Sequence, residues 1–508
     1  MYINSFGLAA IAIVTTSGHA RAQTTTSASA AGSCPTVLTS SNYDAPVVGS
    51  GYIAQLIVTG LTKPRGLIFD KNGALLVVES GVGITRIQFD DRGGTCLLQS
   101  QSSTALIRDN SLNHGIELSD DGETLYASSS SEVYSWPYDP SSSSLGNNQT
   151  LITNMSNTDH TTRTLLLSRK SPGLLLVSRG SSENIDDAAA SITSGHSQIR
   201  VFNISSPPAT PLDYAIDGRL LGWGLRNSVG VAEHPDTGGI YSVENSADQL
   251  ERQGTDIHQD NPGEEMNFHG YLNSSSSTTT QPEQGGNYGY PHCFALWDTT
   301  NLPNKGDMKV GSQFALDPSP TLNDTTCEED YVAPRLTFQA HMAPLDIKFT
   351  SDGSLAYVSF HGSWNRDEPV GYKLSVVSFA NGEPVAPADS TEAAVDILSN
   401  ADNSRCPGNC FRPAGLAIDG RGRVYMSSDA TGEIYVLQRV EMSATGGGGG
   451  GGGSSTSSGG GTLVTSTTTG TSTPNAAAGS VPGSGEGWLL VTLTLALSLF
   501  GGAFFVAA

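Results

Sequence analysis

Positive charge is scarce in this chain: 26 Lys and Arg stand against 49 Asp and Glu, a formal net charge of -23. A field of that sign repels a polyanion, so no nucleic-acid partner is expected, and the balance fits an extracellular protein. Any cluster of arginines is then a local departure that calls for a site-specific reason. Cysteine is sparse too. The six, Cys34, Cys96, Cys293, Cys327, Cys406 and Cys410, read as disulfides rather than thiolate metal ligands in a chain that enters the secretory route. Nearest-neighbour pairing is one of 15 connectivities, and the sequence does not choose among them. No segment of useful length in the repeats carries the 3.6-residue apolar period of a helix, which leaves an all-β domain.

Long apolar runs without charge occur only at the two ends. Residues 1–22 combine the run Phe6 to Val14 with small residues and an Ala-Arg-Ala-Gln junction, and a secretory signal peptide is expected there, although no early Lys or Arg precedes it. Residues 488–508 are apolar, no basic residue follows them, and Asn475, Ala476 and Ala477 lie shortly upstream. That pattern fits a GPI-anchor signal better than a transmembrane stop-transfer helix. Residues 441–487 are Gly, Ser and Thr with almost no large apolar side chain, which cannot bury enough surface to fold, so a disordered stalk is expected. The expected protein is thus secreted and held at a membrane or cell wall, with its folded domain in residues 23–440. Sequons at Asn148, Asn154, Asn203, Asn273 and Asn323 agree with export.

Within that domain one pattern returns: a short polar entry, an apolar run, a Gly/Asp/Asn turn, and a second run. KPRGLIFDKNGALLVVES starts at Lys63, NHGIELSDDGETLYASSS at Asn113, TLLLSRKSPGLLLVSRG at Thr164 and RNSVGVAEHPDTGGIYSVEN at Arg226. APLDIKFTSDGSLAYVSF follows at Ala343 and RPAGLAIDGRGRVYMSSD at Arg412. The DKNG, DDGE, SDGS and DGRG turns supply residues that tolerate positive φ between two β-rich runs. Six such units predict a six-bladed β-propeller, with one long insertion at Asn245 to Thr337 and closure by a strand near Tyr52 to Val58.

The strand entrances bring Arg65, His114, Arg226 with Asn227, and Arg412 to one mouth of the channel, joined by His361, Trp364 and Arg366 of HGSWNRDEPVGYK. Several guanidiniums, two imidazoles, an indole and few local acids suit a flat polyanion. Taken singly, each has a plain alternative: Arg65, Arg226 or Arg412 as a structural ion pair, His114 as a hydrogen-bonded core residue, Trp364 as packing. Their recurrence at one place in the repeat is what argues for a site.

KPRGL, NHGIEL, GLRNSVGVA, DNPGEEMN, NYGYP, FHGSWNR with GYK, and FRPAGLAID together resemble the fungal pyranose dehydrogenases that use pyrroloquinoline quinone (auxiliary-activity family 12). More distantly they resemble the sorbosone and soluble glucose quinoprotein dehydrogenases. The resemblance covers Gly51 to Gln438. It implies a calcium ion and the quinone at the channel mouth, and two-electron oxidation of a sugar hydroxyl. It further implies His114 as the base, with His361 as the competing candidate, and Arg65, Arg226, Asn227 and Arg412 on the quinone with Trp364 and Arg366 lining the pocket. Asn261 and Pro262 of DNPGEEMN would give backbone carbonyls to calcium; Glu264 and Glu265 could add charge there, although two acids in a turn are most often just solvated. The chain has no room for an added haem or cellulose-binding domain, so electrons would leave to an external acceptor such as a cytochrome, a quinone or a copper oxygenase. Two other readings stay open: a calcium-dependent lactonase-type propeller, and a non-catalytic binding propeller at the cell surface.

Overall fold

The computed structural model describes Cys34 and residues 36–40, 43–100, 103–272 and 283–440. The expected signal peptide, stalk and apolar tail, and Asn273 with the Ser/Thr run after it, lie outside the described residues. Six strands line the channel: Pro64–Phe69, Leu112–Leu118, Leu165–Leu167, Ser228–Glu233, Pro344–Phe349 and Pro413–Ile418. Each is the inner edge of an antiparallel sheet of four strands, with short extra strands on blades 2, 3 and 5. Neighbouring inner strands touch all round, the sixth against the first, so the ring is a six-bladed propeller. The inner strands begin at or within a few residues of the repeat starts read from the sequence.

The repeated turns do what their composition allows. Asp70 Oδ1 accepts from the backbone N–H of Asn72 and Ala74, each at 2.9 Å, and Gly73 takes φ 78°. The outer strand of blade 6 is Tyr52–Val58, antiparallel to Glu433–Arg439, so the start of the domain is stitched to its end as the sequence predicts. Between blades 6 and 1 the wedge Val58, Leu67, Val77, Tyr425 and Val436 is buried.

Inner strands approach closely because glycine stands where a side chain would collide. A Cβ at Gly415 would meet the Arg65 carbonyl at 2.0 Å, and one at Gly66 would meet that of His114 at 2.2 Å. Hydroxyls clasp the joints. Ser128 donates to the Arg163 carbonyl at 2.6 Å, Ser359 to that of Ala414 at 2.6 Å and Ser427 to that of Arg65 at 2.8 Å. In blade 3 Ser178 accepts from Thr164 N, whose hydroxyl reaches the Val229 carbonyl. The matching second-strand positions of blades 1 and 4 are Val78 and Val243.

The segment Asn245 to Thr337 is not a single insertion. Glu264–Tyr271 pairs with Gly239–Glu244, and Leu336–Phe338 pairs with it in turn, as the third and fourth strands of blade 4. The run EEMNFHG is buried along its length, polar side chains included, so the alternation that would reveal a strand is missing. Glu264 and Glu265 are correspondingly buried, not solvated. The described remainder, 245–263, 272 and 283–335, holds two short antiparallel pairs, Glu251–Arg252 with Thr255–Asp256 and Cys293–Ala295 with Gln313–Ala315, and the helix Asp324–Asp330 capped by Asn323. The disulfides are Cys34–Cys96, Cys293–Cys327 and Cys406–Cys410.

Candidate active site at the channel mouth

Five inner strands carry a register shift near their entrance, for example between Pro64 and Leu67 and between Pro413 and Leu416. A bulge bends its strand and turns the side chains there. In blades 1 and 2 the residues at that place are Arg65 and His114, both buried.

They begin a chain of four side chains. Arg65 Nε donates to His114 Nδ1 at 3.3 Å, Arg65 Nη1 pairs with Asp429 Oδ2 at 2.6 Å, and His361 Nε2 meets Asp429 Oδ1 at 2.8 Å. Arg412 closes over it, Nε on the His361 carbonyl at 3.1 Å and Nη2 on that of Gly362 at 3.0 Å, its guanidinium 5.7 Å from the Tyr372 ring centroid. One nitrogen is left over: Arg65 Nη2 is buried without a partner. Burial pushes His361 down to about 4, with Arg412 assisting and Asp429 opposing, so the ring is neutral at pH 7. Burial and then Arg65 hold His114 well below the usual imidazole range. Burial works against ionisation of Asp429, yet His361 and Arg65 hold it well below the usual carboxylate range.

Across the mouth, blade 4 treats its arginine differently. Arg226 Nε donates to the Asn184 carbonyl, Nη1 to the carbonyls of Asn245 and Ser246, and Nη2 to Asn184 Oδ1 at 2.9 Å and Asp248 Oδ2 at 3.4 Å. All five of its N–H donors are engaged, so it offers none to a ligand. Asp248 also faces His341 Nδ1 at 3.3 Å, and Asn227 is buried, its carbonyl accepting from Asn245 N. The mouth therefore holds acids that the sequence reading did not place there, Asp429 and Asp248, each paired with one of its arginines.

Trp364 is 62% exposed rather than packed. Arg366 lies with the DNPG loop, its Nη1 on the Gln259 carbonyl and on Asp260 Oδ1 at 3.0 Å, so it braces that loop instead of facing the chain of four. The Asn261 side chain is spent inside the loop: Oδ1 accepts from Trp297 N and Asp298 N, and Nδ2 donates to the Asp298 carbonyl. Among the described residues no three His, Cys, Asp or Glu side chains gather as metal ligands, so a cation at this loop would rest on backbone carbonyls such as those of Asn261 and Pro262. A cavity of about 490 Å³ opens at the opposite mouth, lined by Phe69, Glu117, Arg169, Lys348 and Phe349. Two ion pairs lie along it, Glu117 with Arg169 at 2.9 Å and Lys348 with Asp346 at 2.8 Å, and none of the predicted site residues borders it.

The TrAA12-like family model matches residues 46–440, which contain the propeller and every residue of the mouth. The chain belongs to the TrAA12-like family. A pyrroloquinoline quinone-dependent sugar dehydrogenase of Hypocrea jecorina (strain QM6a) is 51% identical over 402 residues, 78% of this chain and 90% of that protein. A pyrroloquinoline quinone-dependent pyranose dehydrogenase of Coprinopsis cinerea is 38% identical over 410 residues, and the chain spans 54% of its length. Among solved structures, the calcium structure of the Trichoderma reesei family AA12 protein has TM-score 0.75 and 52% identity, covering 78% of this chain and 98% of that one. The holo form of the Coprinopsis cinerea pyranose dehydrogenase PQQ domain has TM-score 0.72 and 37% identity, with 78% and 97% covered.

Proposed function

We propose that this TrAA12-like protein is a quinone-dependent sugar dehydrogenase that oxidises a pyranose or ketosugar hydroxyl with pyrroloquinoline quinone and calcium at the channel mouth. The observation that carries this reading is the unspent Nη2 of Arg65, a permanently charged donor buried where it meets no protein acceptor. A buried unmet donor costs about 1–3 kcal/mol, and an anionic oxygen from a ligand recovers it. Arg412 lies on the same chain of side chains with Nη1 free of the contacts that hold Nε and Nη2. A planar tricarboxylate quinone fits such donors.

Arg65 and Arg412 would hold the quinone's oxygens, and the Asn261 and Pro262 carbonyls would face calcium, with Arg366 keeping their loop in place. Bound, the quinone supplies a two-electron acceptor whose carbonyl calcium polarises. The protein's own part is to desolvate the mouth, orient the sugar with the exposed Trp364 face, and take the hydroxyl proton on a neutral imidazole. The same reading includes secretion, surface anchoring through residues 488–508, and electron transfer to an external cytochrome, quinone or copper oxygenase.

The test is a titration of the purified protein with pyrroloquinoline quinone, with and without calcium, following both quinone fluorescence and dye reduction on a panel of pyranoses and ketosugars. Calcium-dependent binding with sugar-dependent dye reduction is the expected result. Failure to bind the quinone at all would sink it.

A further inference from the structure

Two of the histidines at the mouth, His114 and His361, are set in opposite senses by their partners. His114 Nδ1 receives the Arg65 Nε–H, a donor that can never accept, so in the neutral ring the proton sits on Nε2. His114 thus has a donor, not an acceptor, at the nitrogen that Arg65 leaves unoccupied. His361 Nε2 faces Asp429 Oδ1 at 2.8 Å, a carboxylate that can only accept, so Nε2 carries the proton and Nδ1 is left with a lone pair. No protein donor meets His361 Nδ1 among the described residues. Asp429 is itself fixed from the far side by Arg65 Nη1 at 2.6 Å.

Resting on the dehydrogenase reading, we propose that His361 Nδ1 is the proton acceptor of the reaction, that Asp429 is the positioning residue that fixes its tautomer, and that His114 acts as a hydrogen-bond donor. The sugar O–H bond breaks with its proton going to His361 Nδ1, and the O–H electron pair becomes the carbonyl π bond. The C–H hydrogen leaves with its electron pair to the ortho-quinone, which is reduced as the sugar is oxidised. The imidazolium so formed is stabilised by Asp429, which stays ionised.

Asp429→Asn is the informative variant. Arg65 Nη1 still claims the Oδ1 of the amide, so its Nδ2–H turns to His361 Nε2 and drives the proton to Nδ1, the wrong tautomer for a base. The first readout needs no cofactor: ¹⁵N-histidine NMR of the quinone-free protein, in which tautomers are distinguished by the shifts and couplings of the two ring nitrogens. Expected are protonated Nε2 on both His114 and His361 in the wild type, and a switch of His361 to protonated Nδ1 in Asp429→Asn. The second readout is turnover, expected to fall about 10²–10⁴-fold in that variant with quinone affinity within about threefold. His114→Gln, whose Oε1 can still accept from Arg65, is expected to lose much less. Protonated Nδ1 on His361 of the wild type, or full turnover in Asp429→Asn with His114→Gln inactive, overturns the assignment while leaving a working dehydrogenase. A wild type that binds quinone without oxidising any sugar fails the dehydrogenase reading itself, and the assignment falls with it.

Discussion

Arg65 and Arg226 face the same channel mouth from different blades, and their surroundings set them to different work. Arg226 is enclosed by carbonyls of Asn184, Asn245 and Ser246 and by Asp248, with every N–H spent. Arg65 is bound only through Nε and Nη1, to His114 and Asp429, and keeps the buried Nη2 in reserve. The blade 3–4 side of the mouth is a satisfied network that shapes the rim. The side built from blades 1, 2, 5 and 6 is under-satisfied and titratable, which is where chemistry is found. Identical residue types do not imply identical roles; the count of unspent donors separates them.

The largest expected contrast comes from removing each arginine's defining property. Arg226→Met strands several buried acceptors and one carboxylate, at a cost of about 3–5 kcal/mol, read by calorimetry as a clear fall in Tm. Arg65→Lys keeps the charge but loses the planar fork, and is expected to lower quinone affinity about tenfold or more in a titration while Tm moves far less. Equal losses of stability in both variants would erase the distinction drawn between the two sides.

Next in size is an acid limb carried by the satisfied side. Burial lowers His269 to about 3; its Nε2 meets Ser242 Oγ at 2.8 Å. A folded pKa below the unfolded value of about 6.5 means that the stability it allows is fully present above pH 6.5 and is lost as pH falls toward 3. His269→Phe is therefore expected to gain on the wild type by up to about 1.4 kcal/mol per pH unit over that window, measured by denaturant unfolding at several pH values. Burial raises Glu265 to about 7, which acts in the opposite sense and loses stability as pH rises from about 4.5 through 7. The smallest stability effect belongs to Trp364→Ala, within about 0.5 kcal/mol because the ring is 62% exposed, with a rise in KM for the sugar as its visible consequence.

The blades were legible because each inner strand follows a polar entry and precedes a turn whose Asp and Gly have few other uses. Even the closing strand could be read, from its place ahead of the first unit and the need of the last for a partner. The outer strands of blade 4 could not, because Glu264, Glu265, Asn267 and His269 are buried polar residues with partners such as Ser246, Ala343 and Ser242, and a buried polar strand looks like a loop. Arg65, His114, Arg412 and His361 were found by comparing strand entrances and the end of one repeat. Asp429 and Asn245 were missed, although they hold the same place as His361, one residue beyond the second strands Val424–Ser428, Gly239–Glu244 and Leu355–Phe360. Aligning the repeats at that second position would have placed an acid next to the histidine. Which donors remain unspent is a sum over distant loops, and no local pattern carries it.

The valines at 78 and 243 give the ring a grain. Hydroxyl clasps tie blade 2 to 3, 3 to 4, 5 to 6 and 6 to 1, but where blade 1 meets 2 and blade 4 meets 5 the corresponding side chain has nothing to donate. Those two seams lie opposite one another, so the propeller is built like a bivalve of two three-blade shells. At the mouth the seams are pinned by Arg65 on His114 at one and by Asn245 Nδ2 on the Pro344 carbonyl and Glu264 on Ala343 N at the other, while farther out Tyr138 on Asp70 and Tyr241 on the Gly382 carbonyl cross them too. A ligand seated between Arg65 and Arg412 draws on the shell that carries both, and through His114 it latches that shell to its mate.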